Sequence, residues 1–470
     1  RQTMRSFLSS CVLALALISQ SSAYTDEALA DQITSLPDAP DVDFNQFSGY
    51  LDIDTTSGLK YHYWFVECDG CDAATAPVAL WTNGGPGCSG LLGFMTENGP
   101  FRPQADGTLA KNDYAWNKVA NFLFVEQPVG VGFSYSESRS DYIDVGDDTA
   151  AEWNYKLIKQ FFTRFPDFAD NEFYISAESY GGHYMPTLAK YIVDHNTDKS
   201  VNFRGFAVGN PYTDSVENAK GTVDTIYGHQ LVPKTTYEKW LKLCHNGEKE
   251  STACSLLQAK MWNSQMGNLN PYALDFPVCL DTEGNMKLSM YQARIASQLL
   301  PKEAQQALGL PSDPEDYEPC SDNYATTYLN RADVKEAIHA NPDITWAECS
   351  SKTSYGTLVY NYSWSAVPME PYYQYLIDGG YDLKIMVLSG DDDSVCGTIG
   401  TQSWIYDLGY DVTSEWSSWE VDGQVAGYVT KFDGFTFVTV HGAGHEVPTY
   451  KPAQALKLIS AYFNSSSWVF

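Results

Sequence analysis

The stretch Phe173-Tyr174-Ile175-Ser176-Ala177-Glu178-Ser179-Tyr180-Gly181-Gly182 constrains this chain more than any other. Aromatic and β-branched residues open it, as in a buried strand, and apolar residues return at helical spacing from Tyr184 to Val193 (Tyr184, Leu188, Tyr191, Ile192). Between them, Ala177-Glu178-Ser179-Tyr180-Gly181 fits a tight strand-to-helix turn, G-x-S-x-G with Ala at the first glycine position. Such a turn admits only small residues at its flanks. It lifts the Ser179 hydroxyl clear of the sheet and sets it over a helix N-terminus, where negative charge is favoured. A serine in an ordinary turn carries the same local pattern, so Ser179 is a candidate nucleophile only if partners exist.

The rest of the chain supplies strands and helices in alternation, which predicts a parallel sheet. Val78 to Trp81, Phe122 to Val125, Val201 to Val208, Ile385 to Leu388 and Phe435 to Val440 read as strands. Asp147 to Phe165 reads as a helix capped by Asp147 or Asp148, with Trp153, Leu157, Ile158, Phe161, Phe162 and Phe165 on its core face. From about Asp214 to Pro319 strand-like runs thin out and cysteines gather, which predicts a helical, disulfide-tied insertion whose polar middle runs from Asp281 to Asp316. Pro452 to Phe463 reads as the closing helix.

Partners for Ser179 come in the order a serine hydrolase of this build requires, acid and then histidine. The strand ending at Leu388 runs into Ser389-Gly390-Asp391-Asp392-Asp393, and the last strand into His441-Gly442-Ala443-Gly444-His445-Glu446. An acid held at a strand end can orient an imidazole. Upstream, Trp81-Thr82-Asn83-Gly84-Gly85-Pro86-Gly87-Cys88-Ser89-Gly90 follows a strand where a second oxyanion donor is expected, so Gly85 and Tyr180 N–H form the natural pair. No Lys-Ser or Lys-Thr follows the glycines, as a phosphate loop would need.

Basic Arg1 and Arg5, an apolar run from Phe7 to Ile18 and Ser21-Ser22-Ala23 predict a secretory signal peptide over residues 1–23, too short to span a bilayer. A formal net charge of −30 excludes general nucleic-acid electrostatics and suits work in acid as well as simple solubility. The cysteines predict disulfides in an oxidising compartment, and Asn361 and Asn464 head glycosylation sequons.

Taken together, WTNGGPGCSG, EQPVGVGFSY, AESYGGHY, SGDDDSVC and HGAGHEVP closely resemble the serine carboxypeptidase family, from about Leu36 to Phe463. The resemblance implies an α/β-hydrolase core (residues 24–213 and 321–470) with a mainly helical cap at 214–320, no metal and no cofactor. It assigns Ser179 as nucleophile, His445 as base and, as the second Asp of G-D-x-D, Asp393 as orienting acid. Gly85 and Tyr180 become the oxyanion hole, and Asn83, Gly84, Glu97 and Glu178 the pocket for the substrate's terminal carboxylate. It also implies Cys88–Cys349, Cys244–Cys254 and Cys279–Cys320, with Cys396 free beside the site. Cys68 and Cys71 lie outside that pattern and are expected to pair locally. Cys396 and Glu446 are expected to face the leaving residue. Ala177 and Gly181 exchange the family's Gly and Ala, and Gly90 replaces a usual Ser. The expected activity is release of C-terminal residues from peptides with a free C-terminus, at acidic pH, in a lysosome, vacuole or outside the cell. Acyl transfer with the same triad, or a protective binding role, are the alternatives. No nucleic-acid partner and no membrane span are expected, and a homodimer is compatible with the sequence.

Overall fold

The computed structural model describes residues 24–248, 251–280, 317–350 and 354–464. The expected signal peptide, the polar stretch 281–316 and the serines of the Asn464 sequon lie outside them.

A ten-stranded sheet runs through the molecule in the order β1-β2-β6-β3-β8-β9-β11-β14-β13-β12. Its strands are β1 (Gln46–Asp54), β2 (Leu59–Val66), β3 (Val78–Thr82), β6 (Asn121–Val125), β8 (Phe173–Glu178), β9 (Phe203–Gly209), β11 (Lys384–Gly390), β12 (Val412–Val421), β13 (Gln424–Phe432) and β14 (Phe435–Val440). Two short pairs stand apart: β4 (Phe101–Pro103) with β5 (Leu109–Lys111), and β7 (Ile143–Val145) with β10 (Val359–Tyr360). From β6 to β14 every neighbouring pair is parallel, and antiparallel pairs flank this block on both sides. The fold is that of an α/β-hydrolase.

Side chains on a strand alternate between faces, and here each face has its own core. Ile175, Ile385, Val387 and Phe437 enter one, with Leu157, Ile158 and Phe161 of the helix Asp147–Arg164 and Leu188 of the helix Gly181–His195. Tyr174, Met386, Leu388 and Val438 enter the other, with Leu458 and Ile459 of the closing helix Pro452–Asn464. The helices used below are α1 (Asp26–Ala30), α2 (Gly90–Thr96), α3 (Asp147–Arg164), α4 (Gly181–His195), α5 (Ser215–Gly228), α6 (Lys234–Leu243) and α7 (Thr252–Lys260).

The cap of α3 corrects the sequence reading. Gly146 is the N-cap and makes no side-chain bond, so neither Asp147 nor Asp148 caps the helix. The Asp147 carboxylate turns inward instead, for a reason given below. Between β9 and β11, α5, α6 and α7 build a small core around Trp240, Met261 and Trp262. This helical unit meets the sheet layer through glycines. A Cβ on Gly221 of α5 would lie 2.5 Å from Gly400 N, and one on Gly400 would lie 2.4 Å from Glu217 O. Helix α5 and the helix Thr398–Asp407 therefore cross backbone to backbone.

Cys68–Cys71, Cys88–Cys349, Cys244–Cys254 and Cys279–Cys320 are disulfides, and Cys396 is a buried free thiol. Among the described residues no helix is long and apolar enough to cross a membrane.

Candidate active site

Strand β8 ends at Glu178 and α4 begins at Gly181, leaving Ser179 and Tyr180 to make the turn. Ser179 takes φ 61°, a left-handed conformation that L-residues seldom adopt and that is held by Ser179 N–H to Gly209 O (3.0 Å). Ser179 O in turn accepts Gly182 N–H and Tyr212 N–H. The turn explains the Ala-for-Gly exchange. A Cβ built on Gly181 would sit 2.4 Å from the Ala177 Cβ, so only one of the two positions can carry a methyl group. Ser179 keeps partial solvent access while Glu178 and Tyr180 are buried.

His445 and Asp393 converge from the ends of β14 and β11. His445 Nδ1 lies 2.6 Å from Asp393 Oδ2, both residues are buried, and His445 Nε2 has no hydrogen-bond partner among the described residues. That leaves Nε2 for a proton in transit. Asp393 is fixed on all sides: Val395 N–H, Cys396 N–H and Asn210 Nδ2 also donate to its carboxylate. Asn210, at φ 39°, meanwhile accepts Gly390 N–H, and so clamps the acid loop to the end of β9. Sequence reading missed Asn210. Its one signal was an Asn-Pro turn directly after a strand.

The glycine-rich loop leaves β3 through Gly84-Gly85, with Gly85 at φ 112°. A Cβ on Gly84 would stand 2.4 Å from Tyr180 N, so this loop lies directly on the elbow. Among the described residues neither Gly85 N–H nor Tyr180 N–H has an acceptor. Two further devices hold the loop: Gly87 N–H donates to Tyr184 OH (3.2 Å) from α4, and Cys88 is bonded to Cys349. The inward-turned Asp147 anchors the same region from behind. Its carboxylate accepts Tyr180 OH and Tyr360 OH and meets His183 Nδ1 at 2.9 Å, and Asp147 and His183 are both fully buried. Sequence reading missed this knot too.

Beside Ser179, Asn83 Nδ2 donates to Glu97 Oε1 (2.7 Å) and to Glu178 Oε1 (2.9 Å), while Asn83 Oδ1 accepts Trp81 Nε1–H and Gly93 N–H. Both glutamates are buried, and an apolar hollow lined by Trp81, Trp116, Met386, Leu388 and Val447 reaches Glu178. Burial raises the Glu97 carboxyl above its usual range, and burial with the charge of Glu97 raises Glu178 well above it. Both carboxyls converge on the one Asn83 amide, and like charges so placed disfavour ionisation of both at once. Glu446, half-buried in the cleft wall, is the third member. Burial and the charge of Glu97 push its carboxyl up, against the bond from Tyr450 OH (3.1 Å).

One cation stands nearby, and sequence reading found none. Arg102, five residues beyond Glu97, donates to the Glu97 and Phe101 carbonyls, and its charge favours ionised Glu97. Burial lowers this guanidinium to about 10. Cys396 Sγ lies within 4.8 Å of ligand atoms of Asp393 and His445, and burial with the charges of Asp393 and Glu178 raises its thiol well above the usual range. At Asn361 the side chain is tied back, donating to Asp144 and accepting from Ser363.

The family model described as serine carboxypeptidase matches residues 37–465. Serine carboxypeptidase 24 of Arabidopsis thaliana is 36% identical over 463 residues, covering 96% of each chain. Serine carboxypeptidase-like 25 of the same plant is 38% identical over 448 residues, covering 93% of this chain and 92% of its own. A prohormone-processing carboxypeptidase of Saccharomyces cerevisiae, Kex1(delta)p, superposes with a TM-score of 0.72 at 20% identity, covering 93% of this chain and 96% of that one, a likeness of fold.

Proposed function

The chain belongs to the serine carboxypeptidase family, and on that premise we propose that it releases single residues from the C-termini of peptides, with an optimum in acid. The observation that carries the reading is the Asn83–Glu97–Glu178 cluster beside Ser179. An endopeptidase has no need of a proton-sharing acid pair at its nucleophile, whereas a terminal carboxylate can dock on one. Ser179 Oγ attacks the last peptide carbonyl as His445 Nε2 takes its proton, and Gly85 and Tyr180 N–H receive the oxyanion. His445 then protonates the departing amino group, and water, deprotonated by the same nitrogen, hydrolyses the acyl-enzyme. Asp393 keeps Nδ1 protonated throughout. The protein is routed through the secretory pathway on this reading, since its disulfides need an oxidising compartment.

An N-blocked dipeptide tests the reaction. Wild type should release the C-terminal residue and Ser179→Ala should lose the activity; turnover confined to ester acyl transfer would replace the peptidase reading with an acyltransferase. The pocket has its own test. The glutamates retain a proton above their usual range, so peptide KM should rise as pH climbs through that raised range and the proton leaves, while esters lacking a carboxylate are still cleaved. Exchanging Glu97 and Glu178 together for Gln should flatten the KM profile, and a profile as steep as wild type would remove the pocket from the account.

A further inference from the structure

The segment Asn270–Phe276, which comes from the inserted helical unit, lies along both catalytic loops and bonds to each in turn. Pro271 O accepts Ser394 N–H (3.1 Å) and Ser394 Oγ–H (2.6 Å), and Tyr272 O accepts the backbone N–H of His445 (2.7 Å). Leu274 N–H donates to Asp392 O (3.1 Å), and Asp275 N–H to Asp392 Oδ2 (3.0 Å). The Tyr272 ring packs edge-on against the His445 imidazole, with centroids 5.0 Å apart. A Cβ on Gly444 would lie 2.4 Å from Tyr272 O, so the strap is in full contact. The only side chain of the acid loop that bonds to the strap through its carboxylate is Asp392, the residue beside the orienting acid, and it is 3% exposed.

We propose that Asp392 is a positioning residue: its carboxyl group holds the strap Asn270–Phe276 against the catalytic loops, and its ionisation loosens that hold and misaligns His445. The inference rests on Ser179, His445 and Asp393 acting as the triad. The charged groups around Asp392 fix the sign. On its own loop stands Asp391, on the strap Asp275, and on α5 His229, whose Nε2 is 4.0 Å from Asp392 Oδ1. His229 Nδ1 faces Thr225 O at 2.9 Å and so carries a hydrogen, which leaves Nε2 with a proton to offer only as imidazolium. Two acids and burial thus act against an ionised Asp392, and a partly exposed histidine and one amide act for it. Burial is the largest effect, and the balance raises Asp392 to about 7. A carboxyl raised on docking favours the docked strap while protonated, and that advantage is lost as pH rises towards and through about 7. A lifted strap would hydrate Asp392 and release the His445 backbone.

The test reads the triad without presuming a substrate. The rate of Ser179 labelling by a fluorophosphonate is measured on the full chain between about pH 5 and pH 8, together with amide exchange of the peptide containing His445. Relative to Asp392→Asn, which keeps an acceptor for Asp275 N–H and cannot ionise, wild type should lose about fivefold in labelling rate across that range. This is a fraction of the roughly 10²-fold that a 1 Å misplacement costs. Protection at His445 should fall with it in wild type only. His229→Gln, which removes the compensating cation, should deepen the loss, and it serves if the Asn variant does not fold. A wild-type-to-variant ratio that stays flat with pH overturns the proposal, even if the variants are less stable. Failure of the dipeptide assay with this labelling pattern intact would sink the peptidase reading alone.

Discussion

At the scale of single residues, the site is built from groups that restrict each other. Asp393 has four donors on its carboxylate, and Asn83 spends its whole amide on two acids, a tryptophan and a backbone N–H. The sharpest restriction is at the elbow, where Ala177 and Gly181 share room for one methyl group. Gly181→Ala should strain the turn by about 1–3 kcal/mol and lower kcat by displacing Tyr180 N–H. The swapped pair Ala177→Gly with Gly181→Ala should restore most of that loss. Activity in the single variant equal to wild type would show that the turn absorbs the contact. Ser179 and His445 could be proposed from the sequence because each follows a strand in a turn of small residues, whereas only the family resemblance chose Asp393 over Asp391 and Asp392. Asn210 and Arg102 could not. Asn210 reaches Asp393 across 183 positions, and nothing in an Asn-Pro dipeptide says which acid it will meet. Asp147 misled for a similar reason: an acid at a helix start looks like a cap, and only the fold reveals two tyrosines and a histidine waiting inside.

At the scale of elements, periodicity located the strands of the parallel block because both faces of each are buried and their apolar runs are unbroken. Strand β12, exposed along nearly all its length, escaped the reading, since an outward face of Ser, Glu and Trp has no core to report. The crossing of α5 with Thr398–Asp407 was equally hidden, because a glycine in a helix signals weakness until its neighbour is known. That crossing lies just beyond the loop carrying Asp393, so it links the inserted unit to that loop. Gly400→Val would drive a side chain into Glu217 O and should cost about 1–3 kcal/mol. The expected readout is a lower thermal midpoint together with faster proteolysis within α5 to α7. A midpoint unchanged from wild type would mean that the helices separate freely.

The whole molecule carries its acidity unevenly. Several carboxyls are raised by burial and by each other: Glu97, Glu178 and Glu446 in the cleft, Asp392 under the strap, and Glu370, pushed up to about 7 by burial with Asp214, Glu217 and Asp407 around it. Each favours the fold while protonated, and that contribution fades as pH rises through its folded value. The opposite group, Asp194, Asp198 and Asp333, is lowered by hydrogen bonds and lysine or arginine, and withdraws support only towards strongly acid pH. The thermal midpoint should therefore be higher near pH 5 than near pH 8, with the share of Asp392 and Glu370 lost by about pH 7; calorimetry showing a flat or rising midpoint over that range would contradict it.

The Cys88–Cys349 bond has a mechanical side. It joins residues 261 positions apart, and the loop it closes contains Ser179, Tyr180, Glu178 and Asn210 but not Asp393 or His445. A load applied to the two chain ends would strip β11 and β14 from the sheet and carry off Asp393 and His445. Ser179, inside the covalent bracket, would feel none of the tension. Such a chain would stretch roughly 900 Å less than its length allows. It would be inert, yet the elbow would still be held together, ready to receive its partners when the load is released.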